Sequence, residues 1–433
     1  MSQFRLARTC LILAALGMNA VPSLLISAQA QDKPAATLQK IRPEIFKLLD
    51  GAAINPLLAA KKFPEVQANI AAAEAFTDRS PSETYMLNRV KLQLGSASND
   101  NAITMPALEA LINSGFVEKR EIGVFIQILA EYNLNAKNFP KAIEWFKRYE
   151  KEGLPAETVR PQLSRAYYQS GDYANTKVEL LKIIGAAEAA GKKPEMDDLR
   201  LLNSTEGLLK DMPAYTATLE KLVTLYPTEK FWTEMLNRLM LKPGFRSGLK
   251  YELYRLELVA LKDMTPEAYV DMAEQSLQEG LFAEAKQVMD AGYDKGILGK
   301  GASAAKHKEV RAKADKGAAD DAKNVASGDA SAVAAKTGQP QVNLGYVYVT
   351  MGQFDKGIAM IEKGIAKGGL KHPEDAKLRL GVSLVKADRK ADAIKVFQDI
   401  KGNDGVADLA RYWTMFLNRP AGPMPAAPPA TIK

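Results

Sequence analysis

Apolar residues along this chain recur at helical spacing, and a short signature divides them into segments. In the signature, a polar or loop residue precedes a bulky residue, after which a helical run begins. The residue three places beyond the bulky one tends to be small. Phe139 and Tyr173 are 34 residues apart, which predicts stacked helical hairpins rather than one globular core. The signature is found at Lys62-Phe63-Pro64, Asn138-Phe139-Pro140, Asp172-Tyr173-Ala174, Asp211-Met212-Pro213, Leu281-Phe282-Ala283 and Gln353-Phe354-Asp355.

The segments after the signature have the apolar stripes of amphipathic helices, and strand patterns are almost absent. Ala142, Phe146 and Tyr149 fall on one stripe, so these side chains and the flanking Trp145 are expected to pack in the core. A stripe of the same spacing follows one repeat later, at Ala174, Val178 and Leu181. The pattern predicts an all-α fold.

Some units depart from the signature. Tyr215 is far too large for the small-residue position that follows Met212. Two long gaps predict atypical units, one around Ile103 to Leu111 and one around Phe245. The helices of the second would be Trp232 to Met240 and Tyr251 to Leu261. Counting these units gives roughly nine or ten helix pairs.

The segment from Leu163 to Tyr173 resembles a tetratricopeptide repeat, as do the segments around Leu344-Gly345 and Leu380-Gly381. In that motif, a large and a small residue of the first helix (helix A) face a small residue of the second. The resemblance implies an α-α superhelix, or solenoid, whose helix A faces line a concave groove.

Three stretches are similar to a family of exported bacterial tetratricopeptide-repeat proteins. They are Gly364 to Lys377, Lys242 to Phe245 and Gly292 to Gly299. Members of that family are often labelled components of the TonB energy-transduction system. The resemblance implies an accessory periplasmic protein, and it names no binding residue.

Residues 1–30 have the features of a signal peptide cleaved after Ala30. Arg5 and Arg8 precede a short apolar run, and Ala28-Gln29-Ala30 fits the cleavage site. The single cysteine, Cys10, lies before that run, so the mature chain would hold no thiol. We therefore expect a periplasmic protein without a membrane span in the mature chain.

The mature chain divides into four segments by composition. Residues 31–300 are expected to form an N-terminal tetratricopeptide-like array, and residues 338–418 a C-terminal block of repeats. Between them, residues 301–337 are rich in Ala, Lys and Asp, and form either a solvated helix pair or a partly ordered connector. Residues 419–433 form a Pro-rich tail outside the fold.

Charge and chemistry-bearing residues argue against nucleic-acid binding and against catalysis. Lys and Arg number 58 against 51 Asp and Glu, and the charges are interspersed. Gly299-Lys300 lacks the rest of a phosphate loop, and His307 is expected to be exposed in a polar helix. His372 belongs either to an anion-binding turn or to a surface loop between repeats. No cofactor or metal site is predicted.

The repeat pattern places several polar residues on the helix A face that points away from helix B. These residues either bind an extended peptide in a groove or form an ordinary solvated surface. The favoured function is a non-catalytic protein-binding scaffold or adaptor of an envelope machine, with TonB-linked transport as one candidate. The alternatives are an outer-membrane assembly or cell-wall scaffold and, from another class, an enzyme. The groove residues are Gln127, Glu131, Arg165, Tyr168, Arg200, Asn237 and Tyr346.

Overall fold

The computed structural model describes residues 38–420, which form two compact units divided between Pro194 and Glu195. The predicted signal peptide and nearly all of the predicted Pro-rich tail lie outside these residues. Within the described part, the secondary structure is helical, with short 3-10 turns and no strand. The predicted all-α fold is confirmed.

The first unit consists of consecutive helices that pair as hairpins around two apolar clusters. Its helices are α1 (Pro43–Leu49), α2 (Gly51–Ala59), α3 (Phe63–Glu74), α4 (Pro81–Ser98), α5 (Asn101–Ile112), α6 (Lys119–Asn135), α7 (Phe139–Lys151), α8 (Arg160–Ser170) and α9 (Tyr173–Ala189).

The second unit continues the same arrangement of neighbouring helices. Its helices are α10 (Met196–Leu208), α11 (Met212–Leu225), α12 (Glu229–Met240), α13 (Lys250–Ala260), α14 (Pro266–Gln278), α15 (Phe282–Asp294), α16 (Ala304–Asn324), α17 (Asp329–Ala334), α18 (Gln339–Thr350), α19 (Phe354–Lys367), α20 (Pro373–Lys386), α21 (Lys390–Gln398) and α22 (Val406–Asn418).

Each signature marks the start of a helix, and its bulky residue is the first helical residue. The residue two places before the bulky one has a left-handed backbone, which ends the preceding helix and turns the chain. Glycine occupies this position in the turns before Tyr173, Phe282 and Phe354. Lysine occupies it before the other three, as at Lys137, whose φ is 60°.

The position three residues after the bulky one is buried in every case, which explains its small size. Ala142, Thr176 and Ala285 are fully buried at this position. Tyr215 is buried there too, and its ring packs against Gly207 of α10: a Cβ on that glycine would be in ordinary van der Waals contact with the ring, at 3.5 Å. The Tyr215 hydroxyl donates a 2.8 Å hydrogen bond to Glu234.

Helices α18 and α19 pack closely where Gly345 and Gly357 face each other. A Cβ on Gly345 would lie 2.7 Å from the Gly357 carbonyl oxygen, and a Cβ on Gly357 would lie 2.5 Å from the Gly345 carbonyl oxygen. These backbones touch because neither residue has a side chain. The expected contact between small residues of the two helices is present here.

The apolar stripe predicted for α9 was wrong. Val178 and Leu181 are 47% and 48% exposed, whereas Thr176, Leu180 and Ile184 are buried. Because the signature turns Thr176 inward, the residues four and eight places later share its face. The predicted stripe therefore lies on another side of the helix.

Both atypical units are present as helical hairpins. Gly95 of α4 packs against Thr104 of α5, and the helices around Phe245 are α12 and α13. The polar segment after residue 301 contains α16, which packs on α15 through buried Val310 and Ala314.

In the second unit, the last helix contacts helices from the start of that unit. Lys242 donates a 2.6 Å hydrogen bond to Asp408, and Arg411 donates a 2.7 Å bond to Glu220. Trp232 packs edge-on against Phe416, with 6.1 Å between ring centroids. Helix α22 therefore closes the second unit on itself.

Candidate functional site

The first unit contains four of the predicted groove residues, on two helices. Gln127 and Glu131 lie one turn apart on α6; Gln127 is half-buried and Glu131 is exposed. On α8, Arg165 is exposed and Tyr168 is half-buried, with its ring 5.6 Å from that of Tyr173. All four are at least partly accessible, and their role in binding stays a prediction.

The three groove residues predicted in the second unit have different surroundings. Arg200 is half-buried and forms an ion pair with Asp197 at 3.5 Å, while Asn237 is exposed at the edge of a cavity. Tyr346 is fully buried, so its placement on an accessible groove was wrong. The guanidinium groups of Arg255 and Arg379 lie 4.5 and 5.8 Å from the centroid of its ring and help to cover it.

Tyr346 belongs to a buried ion cluster formed by side chains of α13, α15, α18 and α20. Arg255 donates a 2.7 Å hydrogen bond to Glu284 and a 2.5 Å bond to Glu252, and all three are at most 3% exposed. The Tyr346 hydroxyl reaches Glu284 at 3.2 Å, and Arg379 reaches Glu252 at 3.3 Å. The cluster therefore joins helices that are far apart in sequence.

The charges in this cluster keep Glu284 ionised. Burial alone would raise the pKa of Glu284, but the charges of Arg255 and Lys386 and the hydrogen bonds lower the pKa to about 2. Burial raises the pKa of Tyr346 far above its usual range, so its hydroxyl stays a donor. With its charges paired, the cluster is a structural element rather than a reactive site.

A cavity of about 650 Å³ opens between α12, α13, α14 and the start of α16. Tyr254, Met264 and His307 are its buried lining residues, and Met240 and Leu261 add apolar surface. We call it the acidic cavity. Its charged lining residues are Lys250, Glu257, Asp263, Glu267, Asp271, Glu274 and Lys306.

Three of the five carboxylates of the acidic cavity form ion pairs with lysines. Lys250 donates a 2.6 Å hydrogen bond to Asp271, which also accepts a 2.9 Å bond from the Tyr254 hydroxyl. Lys306 lies 2.5 Å from Glu274. The hydrogen bond from Lys250 lowers the pKa of Asp271, so this carboxylate is ionised at neutral pH.

Glu257 is the exception among the half-buried acids of this cavity. Within residues 38–420 its side chain forms no hydrogen bond or ion pair, and Lys250 is its one electrostatic neighbour. Burial raises the pKa of Glu257 to about 7, against a weaker opposite effect of the Lys250 charge. This carboxyl group is thus desolvated without a counter-ion.

The histidines fit structural roles. His307 is buried, contrary to expectation, because it lies on the face of α16 that packs inward, and its Nδ1 accepts a 3.1 Å hydrogen bond from the Gly299 N–H. His372 is exposed and precedes α20 without capping it.

Across residues 38–420, no group of His, Cys, Asp or Glu side chains converges to hold a metal ion. In the same range, no helix is long and apolar enough to cross a membrane.

The sequence interpretation missed the buried ion cluster and Glu257. Glu257 and two members of the cluster, Glu252 and Arg255, lie in one stretch of α13, Tyr251 to Glu257, in which charged residues interrupt an otherwise apolar run. Charged residues are rarely buried unless they are paired. This pattern was the available signal.

The geometry described so far is that of a helical repeat protein. Residues 342–407, which include α19 to α21, match the family model described as "Tetratricopeptide repeat". This repeat is typically a scaffold for protein–protein interaction rather than a catalytic fold. No match was found among curated proteins.

Three solved structures are similar to this chain, and the names of two of them include a TPR domain. The TPR2AB domain–pHSP90 complex of yeast Sti1 is 14% identical, with 68% of this chain and 99% of that chain covered and a TM-score of 0.24. Yeast Tom70 is 11% identical, with 86% and 95% covered and a TM-score of 0.22. The P58(IPK) TPR domain is 13% identical, with 87% and 100% covered and a TM-score of 0.19. With such low TM-scores, these likenesses carry no argument about partners.

Proposed function

We propose that this chain is a non-catalytic scaffold of the bacterial cell envelope, exported by its N-terminal signal peptide, that binds a protein partner. The observation that carries the proposal is the set of accessible polar side chains on α6 and α8, two of the consecutive helices that pair as hairpins in the first unit. Gln127, Glu131, Arg165 and Tyr168 present amide, carboxylate, guanidinium and phenol groups there. Such groups bind an extended peptide through its backbone and side chains.

The envelope location and the TonB-linked machine rest on the signal-peptide pattern and on the resemblance to exported repeat proteins. Affinity capture from a solubilised cell envelope, with residues 31–433 as bait, tests them. The adaptor hypothesis predicts enrichment of TonB-like or proton-channel proteins. Recovery of outer-membrane assembly or cell-wall synthesis proteins alone would refute the TonB link and favour the alternative scaffold.

A double variant tests whether the α8 surface makes the contact. Arg165→Ala with Tyr168→Ala should weaken partner capture while helicity and melting temperature stay close to the wild type. The matched control is Glu144→Ala with Lys151→Ala, two exposed positions on α7, and it should capture normally. If the test pair lowers the melting temperature instead, the packing of Tyr168 on Tyr173 explains the loss, and the binding role is rejected.

A further inference from the structure

The lining of the acidic cavity combines apolar and acidic side chains. Of its three buried lining residues, Tyr254 and Met264 are largely apolar, and Met240 and Leu261 add to that apolar surface. Carboxylates lie beside this apolar lining. A ligand with an apolar stem and a charged end is therefore complementary to the cavity.

The charge of the cavity selects the sign of that ligand. Five carboxylates and two lysines line it, and Lys250 and Lys306 are already paired with Asp271 and Glu274. Asp263 is paired with Lys295 from outside the lining, at 3.6 Å. An anion would meet net repulsion here, whereas a cation would find Glu257 half-buried and without a counter-ion.

We propose that the acidic cavity receives a lysine or arginine side chain from a basic segment of a partner protein, with Glu257 as its counter-ion. The proposal deepens the scaffold function and rests on it. The methylene groups of the incoming side chain would pack on Met240, Leu261 and Met264. Its charged end would replace the water that Glu257 has lost through burial.

The protonation state of Glu257 gives the interaction a pH dependence. The charged and titratable groups of the cavity lining are Lys250 and Tyr254 on the same helix, Asp263 before α14, Glu267, Asp271 and Glu274 on α14, and Lys306 and His307 on α16. Burial raises the pKa of Glu257 to about 7. The carboxylate that binds the cation therefore accumulates as the pH rises through neutrality, and binding should strengthen over that range.

The test uses the full chain and peptides selected from a random-sequence display library. Selection on the wild type should enrich peptides that contain Lys or Arg, and a labelled, enriched peptide is then titrated by fluorescence anisotropy. Glu257→Gln should weaken its binding by about tenfold or more, the loss of one charge-assisted contact. Glu257→Lys should abolish the binding of basic peptides. Glu309→Gln, an exposed position on α16 outside the cavity, should leave the affinity unchanged.

Three results would overturn the proposal. The first is enrichment of peptides without basic residues, and the second is equal binding by the wild type and Glu257→Gln. The third is saturable binding of free spermidine that is lost in Glu257→Gln but does not displace the peptide, because it would assign the cavity to a small polyamine. Envelope capture by the wild type and by Glu257→Gln separates the cavity proposal from the scaffold proposal. If the wild type captures envelope partners but selects no basic peptide, the cavity proposal fails and the scaffold proposal stands. If neither the wild type nor Glu257→Gln captures any partner, the scaffold proposal fails.

Discussion

Removing the charge of Glu284 should destabilise the second unit strongly. Glu284 accepts hydrogen bonds from Arg255 at 2.7 Å and from the hydroxyls of Tyr251 and Tyr346 at 2.5 and 3.2 Å. In Glu284→Gln, the shape of the side chain is nearly preserved. The one buried carboxylate that remains for Arg255 is Glu252, which also pairs with Arg379. The perturbation is therefore electrostatic.

The expected loss is about 3 kcal/mol. Breaking a buried ion pair by removing one partner typically costs about 3–5 kcal/mol, and the lower end applies because the amide still forms hydrogen bonds. The lowering of the pKa of Glu284 from 4.5 to about 2 gives a similar figure, at about 1.4 kcal/mol per pH unit. This contribution is complete above pH 4.5 and disappears as the pH falls through about 2.

Urea unfolding followed by tryptophan fluorescence measures this loss in the second unit alone. The chain has three tryptophans, and Trp145→Phe leaves only Trp232 and Trp413, both buried in the second unit. With a slope of roughly 3 kcal/mol per M, the midpoint should fall by about 1 M at pH 7.

The control is Glu309→Gln, which breaks an exposed ion pair with Lys313 on α16 and should leave the midpoint nearly unchanged, because solvent screens surface ion pairs. If Glu284→Gln shifts the midpoint no more than this control, or shifts it equally at pH 7 and pH 3, the charge of Glu284 does not stabilise the unit and the reasoning is refuted.

Three further predictions concern Glu257 and two kinds of turn or contact. Because the pKa of Glu257 is raised to about 7, the wild type loses stability as the pH rises from 4.5 to 7. Over that range Glu257→Gln should gain about 1–2 kcal/mol of unfolding free energy relative to the wild type, a figure reduced for partial exposure. Urea unfolding of both proteins at pH 4.5 and at pH 7 measures this gain. Gly357→Ala should cost about 2–3 kcal/mol of stability, because the new Cβ would meet the Gly345 carbonyl. Gly185→Ala, with open space around its Cβ, should instead gain about 0.5–1 kcal/mol. The melting temperatures of the two variants should therefore shift in opposite directions. Lys137→Gly should stabilise the chain by about 0.5–1 kcal/mol by relieving a left-handed lysine, and Lys137→Ala, which keeps that strain, should not.

The features predicted correctly from the sequence are local. The turn, the bulky first residue and the inward residue three places later lie within a few positions, so the signature located helix starts from Phe63 to Phe354. The α9 stripe was misplaced because Ala174, Val178 and Leu181 also have helical spacing, and periodicity alone does not choose between two apolar faces.

The candidate site depended on contacts between distant residues, which the sequence pattern does not encode. Tyr346 has the position of a groove residue within its own repeat, but side chains of α13, α15 and α20 cover it. Arg255 and Glu284 are separated by 29 residues, and Arg379 and Glu252 by 127. No spacing rule connects such partners, so the cluster appears only in the folded structure.

Closure of the second unit by α22 changes how this part of the chain can fold. In an open repeat array each repeat contacts its neighbours alone, so folding can start anywhere and the end repeat can unfold by itself. Here Lys242 and Asp408 are separated by 166 residues, and Arg411 and Glu220 by 191. Such non-local contacts slow folding and make it cooperative, because the chain must close a long loop before these contacts form. A deletion that begins at Val406 would therefore remove partners of Lys242 and Glu220 in the first helices of the unit, and its effect would extend far beyond the last repeat.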